Sequence, residues 1–211
     1  MTPEDFSARY PDLYHLTRPE SLPLIRQFGL LSPLQLCDLF NLNDEEKDKL
    51  LSKRRPKSVV LTHTLHGTAV IHDNAPLSEK ALGKCLDDGL APKDWLHLLN
   101  ERTFFFTKRN KADALRAGPA HKNQQRSLLV IDTETFLRAH IERVTISPFN
   151  TGSTIHTPAR RGNGTFARLS SLDYEVWRRS RPTHTPDVPK EVSIVGGVRD
   201  IFNYVSAIET L

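Results

Sequence analysis

The stretch Thr103-Phe104-Phe105-Phe106-Thr107-Lys108-Arg109-Asn110 decides how the chain is read. Residues 103–106 favour extended structure and predict a short buried strand. The run breaks abruptly into Lys108-Arg109-Asn110. A basic residue where a buried strand emerges sits on a rigid base and still reaches a ligand. Arginine suits that place, because its planar fork grips a phosphate or carboxylate through two hydrogen bonds. The simpler alternative is a core strand with a solvated end.

Working outward, Asp12 to Thr17 predicts a strand with Tyr14 and Leu16 on one face and His15 and Thr17 on the other. Arg18-Pro19-Glu20-Ser21 opens a helix, and Gly29 is expected to end it in a left-handed conformation. A second helix follows near Leu34 to Phe40, and Asn43 is expected to cap a solvated third. Val59-Val60-Leu61 and Leu128-Leu129-Val130-Ile131 read as strand cores, as do Arg143 to Ser147 and Glu191 to Val195. Leu77 to Leu86, Pro92 to Leu99, Ala112 to Ala117, Thr133 to Ala139 and Leu172 to Arg179 read as helices. Pro148 to Gly164 carries no regular pattern, and a loop of that length in a compact domain is usually functional or disordered. Strands and helices alternate without a repeating βαβ rhythm, so the fold class is expected to be α+β in one domain over residues 1–211.

The totals bound the answer loosely. The 211 residues are 26% charged and 38% hydrophobic, with 14 prolines and a formal net charge of +4. That charge permits an anionic partner without compelling one. Cys37 and Cys85 suit neither a metal pair nor a disulfide framework, and no signal peptide or membrane-length apolar run is visible. A cytoplasmic location is the expectation. His63, His66, His72 and Asp73 fall within a dozen residues, but with no familiar zinc spacing and with His63 and His66 expected on opposite faces of a strand. No metal is expected. Glycine-rich loops of the Rossmann or P-loop kind are absent.

Three polar residues stand on or beside expected strands: His15, Arg109 and Glu191. Tyr14-His15-Leu16-Thr17 with Gly29-Leu30, Phe105-Phe106-Thr107-Lys108-Arg109-Asn110, and Lys190-Glu191-Val192-Ser193-Ile194 together resemble the DarT-type DNA ADP-ribosyltransferases. The match runs in order along most of the chain, outside Phe40 to Leu99. The pattern is also similar to a bacterial family of unassigned function that shares these motifs, including Leu99-Asn100 to Phe106 and Ser147 to Gly152. The resemblance implies an ADP-ribosyltransferase-like fold with central mixed β-sheets flanked by helices. It implies NAD as a substrate, Glu191 and Arg109 as catalytic residues, and His15, Thr17, Arg109, Phe105 and Phe106 as the NAD site. Phe105, Phe106 or Tyr174 would stack on nicotinamide. The tyrosine at the middle of the related His-Tyr-Glu pattern has no counterpart assigned here.

The chemistry suits these residue types. Breaking the bond between nicotinamide and ribose builds positive charge on the sugar, which a nearby carboxylate stabilises. Two basic groups bear on the acceptor. Arg102, Lys108, Arg109, Lys111, Arg116, Lys122 and Arg126 form one. Arg160, Arg161, Arg168, Arg178, Arg179 and Arg181 form the other, with Arg160, Arg161 and Arg168 as candidate acceptor-binding residues. Interleaved with Phe166, Tyr174 and Trp177, they suit single-stranded nucleic acid, DNA or RNA. A toxin or phage-defence role with an antitoxin or hydrolase partner would follow. The alternatives are a non-catalytic nucleic-acid or nucleotide-binding module on the same fold, and a protein-modifying transferase.

Overall fold

A computed structural model describes all residues except 118–123, 156–157 and 180–188. The chain begins with α1 (Pro3–Ser7) and β1 (Asp12–Thr17). Then come α2 (Leu22–Phe28), α3 (Pro33–Leu39), α4 (Asp44–Leu51) and a hairpin of β2 (Val59–His63) and β3 (Gly67–Ile71). Next are α5 (Glu79–Gly83), α6 (Pro92–Asn100), β4 (Arg102–Phe106), α7 (Arg109–Ala117), β5 (Ser127–Asp132), α8 (Thr133–His140) and β6 (Val144–Ser147). The two-residue β7 (Ala167–Arg168), α9 (Tyr174–Arg179), β8 (Glu191–Val195) and β9 (Val205–Thr210) complete it. None of the helices among the described residues is long and apolar enough to cross a membrane.

Local chemistry sets many of these bounds. Ser32 caps α3 reciprocally with Gln35, and Asn43 caps α4 with Glu46, so backbone N–H groups that a helix start leaves open are satisfied. Asp132 caps α8 by accepting from Thr135 N at 2.9 Å. Gly29 ends α2 at φ +83°, ψ −179°, so its backbone is extended beyond the bend and is not left-handed helical. A side chain has no room there: a Cβ would lie 2.3 Å from the Arg199 Cα. This close approach lets Leu30 pair with Val198.

The main sheet runs β7-β6-β8-β4-β1-β5-β9. Its strand pairs are all antiparallel, which corrects the expectation of mixed sheets; α+β stands. Register aligns Tyr14, Phe106, Glu191 and Ser147 in one row on one face. Leu13, Phe105, Ile131, Val192 and Ile146 line the other face and bury against Phe6, Phe136 and Leu137 of α1 and α8. A separate apolar cluster joins α2, α3, α4 and the β2–β3 hairpin, and another gathers α5 and α6 around Trp95.

Strands β1 and β4 share one residue pair, Tyr14 with Phe106, whereas β4 and β8 share five. The sheet therefore opens between β1 and β4 beyond Tyr14. This opening positions the site.

Candidate ligand cleft and the Glu191 site

A cavity of about 280 Å³ occupies the opening, between the split sheet and the α2–β3 unit. His15 sits in the gap. Its Nδ1 lies 2.9 Å from the Phe104 carbonyl, the group that Leu16 would face if the ladder continued. A carbonyl only accepts, so Nδ1 carries the proton. Burial holds the His15 pKa below its ordinary value, and the carbonyl partly offsets this. The ring is neutral at pH 7, so Nε2 is a bare acceptor, ready for a hydroxyl or amide donor.

Thr17 and Phe106 line the same cavity, so three of the residues singled out by sequence come together. Phe105 does not line the cavity, although its ring meets the His15 ring edge-on with centroids 5.8 Å apart. It is 1% exposed and packs on Phe136 at 5.2 Å on the far face, because neighbouring strand residues alternate sides. Tyr174 is likewise buried, under Arg9 and against Trp177. Neither ring is placed to stack on a ligand in the cavity, which corrects those two expectations.

Arg109 does not follow its strand into the cavity. It is the first residue of α7, and the helix turns its side chain across β1 and β5 to the Glu209 carboxylate on β9, gripped by both terminal nitrogens. Asp113 lies 4.0 Å away. The expectation that Arg109 stands with Glu191 is corrected by this ion pair.

The cavity's positive charge comes instead from Arg55, Arg102 and Arg126. Arg102 starts β4 on the same face as Phe104 and Phe106, and its guanidinium stacks over Phe166 at 4.2 Å. Arg126, 1% exposed, donates to His72 Nδ1 at 3.0 Å and Gln124 Oε1 at 2.8 Å. Arg55 donates to the Leu50 and His72 carbonyls and to Asn100 Oδ1. Burial lowers the pKa of all three, that of Arg55 to about 10. The sequence placed Arg102 and Arg126 in a basic group bearing on a nucleic-acid acceptor, whereas the structure makes them cavity-lining. The signal that separates them is position: each flanks a buried strand.

Glu191 is 6% exposed and starts β8 one strand from Phe106. Its Oε2 accepts from Thr151 N at 3.1 Å and Thr151 Oγ1 at 2.8 Å. Among the described residues no donor reaches Oε1. Desolvation pushes the carboxyl up to about 7, against the Thr151 hydrogen bonds and the nearby Arg161 charge, which pull it down. Glu191 does not line the cavity, but Phe106, its register partner, does. Strand spacing of about 4.8 Å separates the two backbones.

The long loop is held against this carboxyl. Arg161 is 2% exposed, donates to the Thr151 and Ser153 carbonyls at 3.1 Å each, and stacks on Phe149 at 4.9 Å. Trp95 Nε1 donates to the same Thr151 carbonyl at 3.3 Å. Arg161 is therefore a strut for the loop and not an exposed contact for an acceptor, which corrects that expectation. Arg160 is exposed and pairs with Asp87, and Arg168 faces solvent on β7. Lys122, Arg181 and the proline-rich stretch over 182–188 lie outside the described residues.

His63 and His66 are not on opposite faces. The hairpin reverses between β2 and β3, and the two rings stack with centroids 4.4 Å apart. No cluster of three or more metal-ligating side chains occurs among the described residues.

The model of a family of unknown function, DUF7002, matches residues 11–205. No curated protein matches the chain.

Proposed function

We propose that this chain, which belongs to the DUF7002 family, is an NAD-dependent ADP-ribosyltransferase with an ADP-ribosyltransferase-like fold. One observation carries the reading. Strands β1, β4 and β8, distant in sequence, are consecutive neighbours in the sheet, so His15 and Phe106 line a cavity where the sheet opens, and Glu191, outside that lining, is the register partner of Phe106.

In this reading the cavity takes NAD, with the neutral His15 Nε2 accepting from a ribose hydroxyl and Phe106 offering its ring beside nicotinamide. The glycosidic bond breaks, nicotinamide leaves with the bonding electron pair, and positive charge builds on the ribose. Glu191, ionised and presenting Oε1, stabilises that charge. It then takes the proton of the acceptor as the acceptor's lone pair bonds to the ribose carbon. Arg102 and Arg126 supply the fixed positive charge that the sequence pattern gave to Arg109. A nucleic-acid acceptor suits the exposed Arg160 and Arg168, whose phosphate contacts would be salt-sensitive.

The direct test is nicotinamide release from NAD with candidate DNA, RNA and protein acceptors present. Release at least ten times faster with wild type than with Glu191→Gln is expected; equal rates with every acceptor sink the transferase reading. A second reading, a non-catalytic nucleotide-binding module, is favoured by the Glu209 grip on Arg109 and the Thr151 hold on Glu191. It expects NAD to bind without being cleaved.

A further inference from the structure

The segment Ser147 to Gly152 leaves the sheet directly beside Glu191. Ser147 ends β6 and is the register partner of Glu191, on the side of β8 away from Phe106. Ser147 Oγ donates to the Phe149 carbonyl at 3.0 Å, and Asn150 Oδ1 accepts from Gly152 N at 3.1 Å. Between these local turns, Thr151 is 1% exposed and packed onto the carboxyl.

Both donors of Thr151 go to the same oxygen. Its N–H and its hydroxyl reach Oε2 at 3.1 and 2.8 Å. The last torsion of a glutamate is soft and two-fold, so an unheld carboxyl exchanges its oxygens. Two donors from one fixed residue oppose that exchange. Thr151 is itself held from behind: its carbonyl accepts from Arg161 at 3.1 Å and from Trp95 at 3.3 Å. Arg161 is tied in turn to the chain before α6, donating its N–H to the Cys85 carbonyl at 2.9 Å and accepting from Asp87 N at 2.8 Å. Thr154, three residues on, serves another purpose. Its Oγ1 accepts from Ser78 N at 2.7 Å, at the cap of α5.

We infer that Thr151 is a positioning residue for Glu191: by placing both its donors on Oε2, it aims Oε1 at the ribose carbon and at the proton of the acceptor. The inference rests on the transferase reading and deepens it by naming what holds the carboxylate in register. Hydrogen bonds to the charged form favour ionisation, so the Thr151 hydroxyl also opposes the desolvation that raises the carboxyl to about 7. Arg161 is the charge that acts alongside it, and the register partners Phe106 and Ser147 do not titrate. Arg161 and the chain neighbour Lys190 are unchanged by substitution at 151.

The test compares wild type with Thr151→Val, which removes the hydroxyl, Thr151→Ser, which restores it, and Thr154→Val, a control on the same loop. Carbon-13 NMR of glutamate-labelled protein follows the Glu191 carboxyl, assigned by its absence in Glu191→Gln. Its midpoint is expected to rise by about one pH unit in Thr151→Val, as for loss of one charge-assisted hydrogen bond, and to stay at the wild-type value in Thr151→Ser and Thr154→Val. Nicotinamide release by Thr151→Val should be about tenfold slower than wild type even at a pH of about 9, where the carboxyl is largely ionised in both, because aim is lost as well as charge. Thr151→Ser should recover most of that rate. Where Thr151→Val fails to fold, judged by circular dichroism, Thr151→Ala is read in its place. An unchanged Glu191 midpoint in the folded variant, an equal shift in Thr154→Val, a rate deficit that vanishes at high pH, or Thr151→Ser as impaired as Thr151→Val overturns the positioning role. The expected midpoints with no nicotinamide release by wild type keep the hold on Glu191 and remove the transferase reading.

Discussion

Replacing Glu191 by Gln should make the protein more stable at alkaline pH, and the size of the effect follows from the carboxyl's surroundings. The side chain is nearly fully buried, and desolvation raises its pKa from 4.5 to about 7. The folded state therefore holds a proton that the unfolded state has released. Stability from this proton is fully present below pH 4.5 and is lost as pH rises through about 7. The difference of about 2.5 pKa units corresponds to about 3 kcal/mol. Glutamine keeps an oxygen for the two Thr151 donors and does not titrate. Urea unfolding at pH 5, 6, 7 and 8 reads the gap between variant and wild type. The gap should widen in favour of the Glu191→Gln variant by about 2–3 kcal/mol from pH 5 to pH 8. Any pH-independent cost of the substitution shifts all four points equally. His15 and His140, whose pKa values burial lowers, act in the opposite direction and cancel in the difference. A gap constant to within about 0.5 kcal/mol across this range would refute the buried, proton-holding carboxyl.

Other expectations follow from the same geometry. Nicotinamide release, if Glu191 must be ionised, should rise with pH through about 7 and lose that dependence in Glu191→Gln; a flat wild-type profile counts against the role. Gly29→Ala should cost roughly 3 kcal/mol or more in chemical denaturation, through positive φ and collision with the Arg199 backbone, and near-wild-type stability would contradict it. Arg161→Met should cost about 2–4 kcal/mol by removing the donors to the Thr151 and Ser153 carbonyls, of which only Thr151 keeps another among the described residues, from Trp95, while Arg160→Ala one residue away should leave the melting temperature unchanged. Equal effects at the two positions would overturn the distinction between strut and surface arginine.

The strands that carry the site were legible because burial shows in residue type. Phe104-Phe105-Phe106 and Leu128 to Ile131 are apolar runs, Val192, Ile194 and Val195 are β-branched, and period two assigned Tyr14 and His15 to opposite faces. The hairpin strand β3 was missed because its turn, Thr64-Leu65-His66-Gly67, lacks the usual Asn-Gly signal, although Gly67 does supply positive φ. Strand β9 was missed because it is an edge: Ser206, Ala207, Ile208 and Thr210 are exposed, so no apolar alternation marks it. His15, Thr17 and Phe106 were legible as strand residues, and the structure brings all three to the lining of one cavity. Arg109 was misplaced because a helix begins at it, and one residue of helical turn redirects a long side chain. Arg102 and Arg126 were seen as charges but not as cavity walls. Their enclosure depends on α2 and β3 folding over the split sheet, a tertiary contact that no local pattern records.

The central claim is that the opening between β1 and β4 holds NAD without help from Arg109. Calorimetric titration of NAD into wild type and Arg109→Ala tests it most directly. NAD should bind both with the same affinity, because Arg109 is spent on Glu209 outside the cavity. No binding by well-folded wild type, or binding abolished in Arg109→Ala, would contradict it.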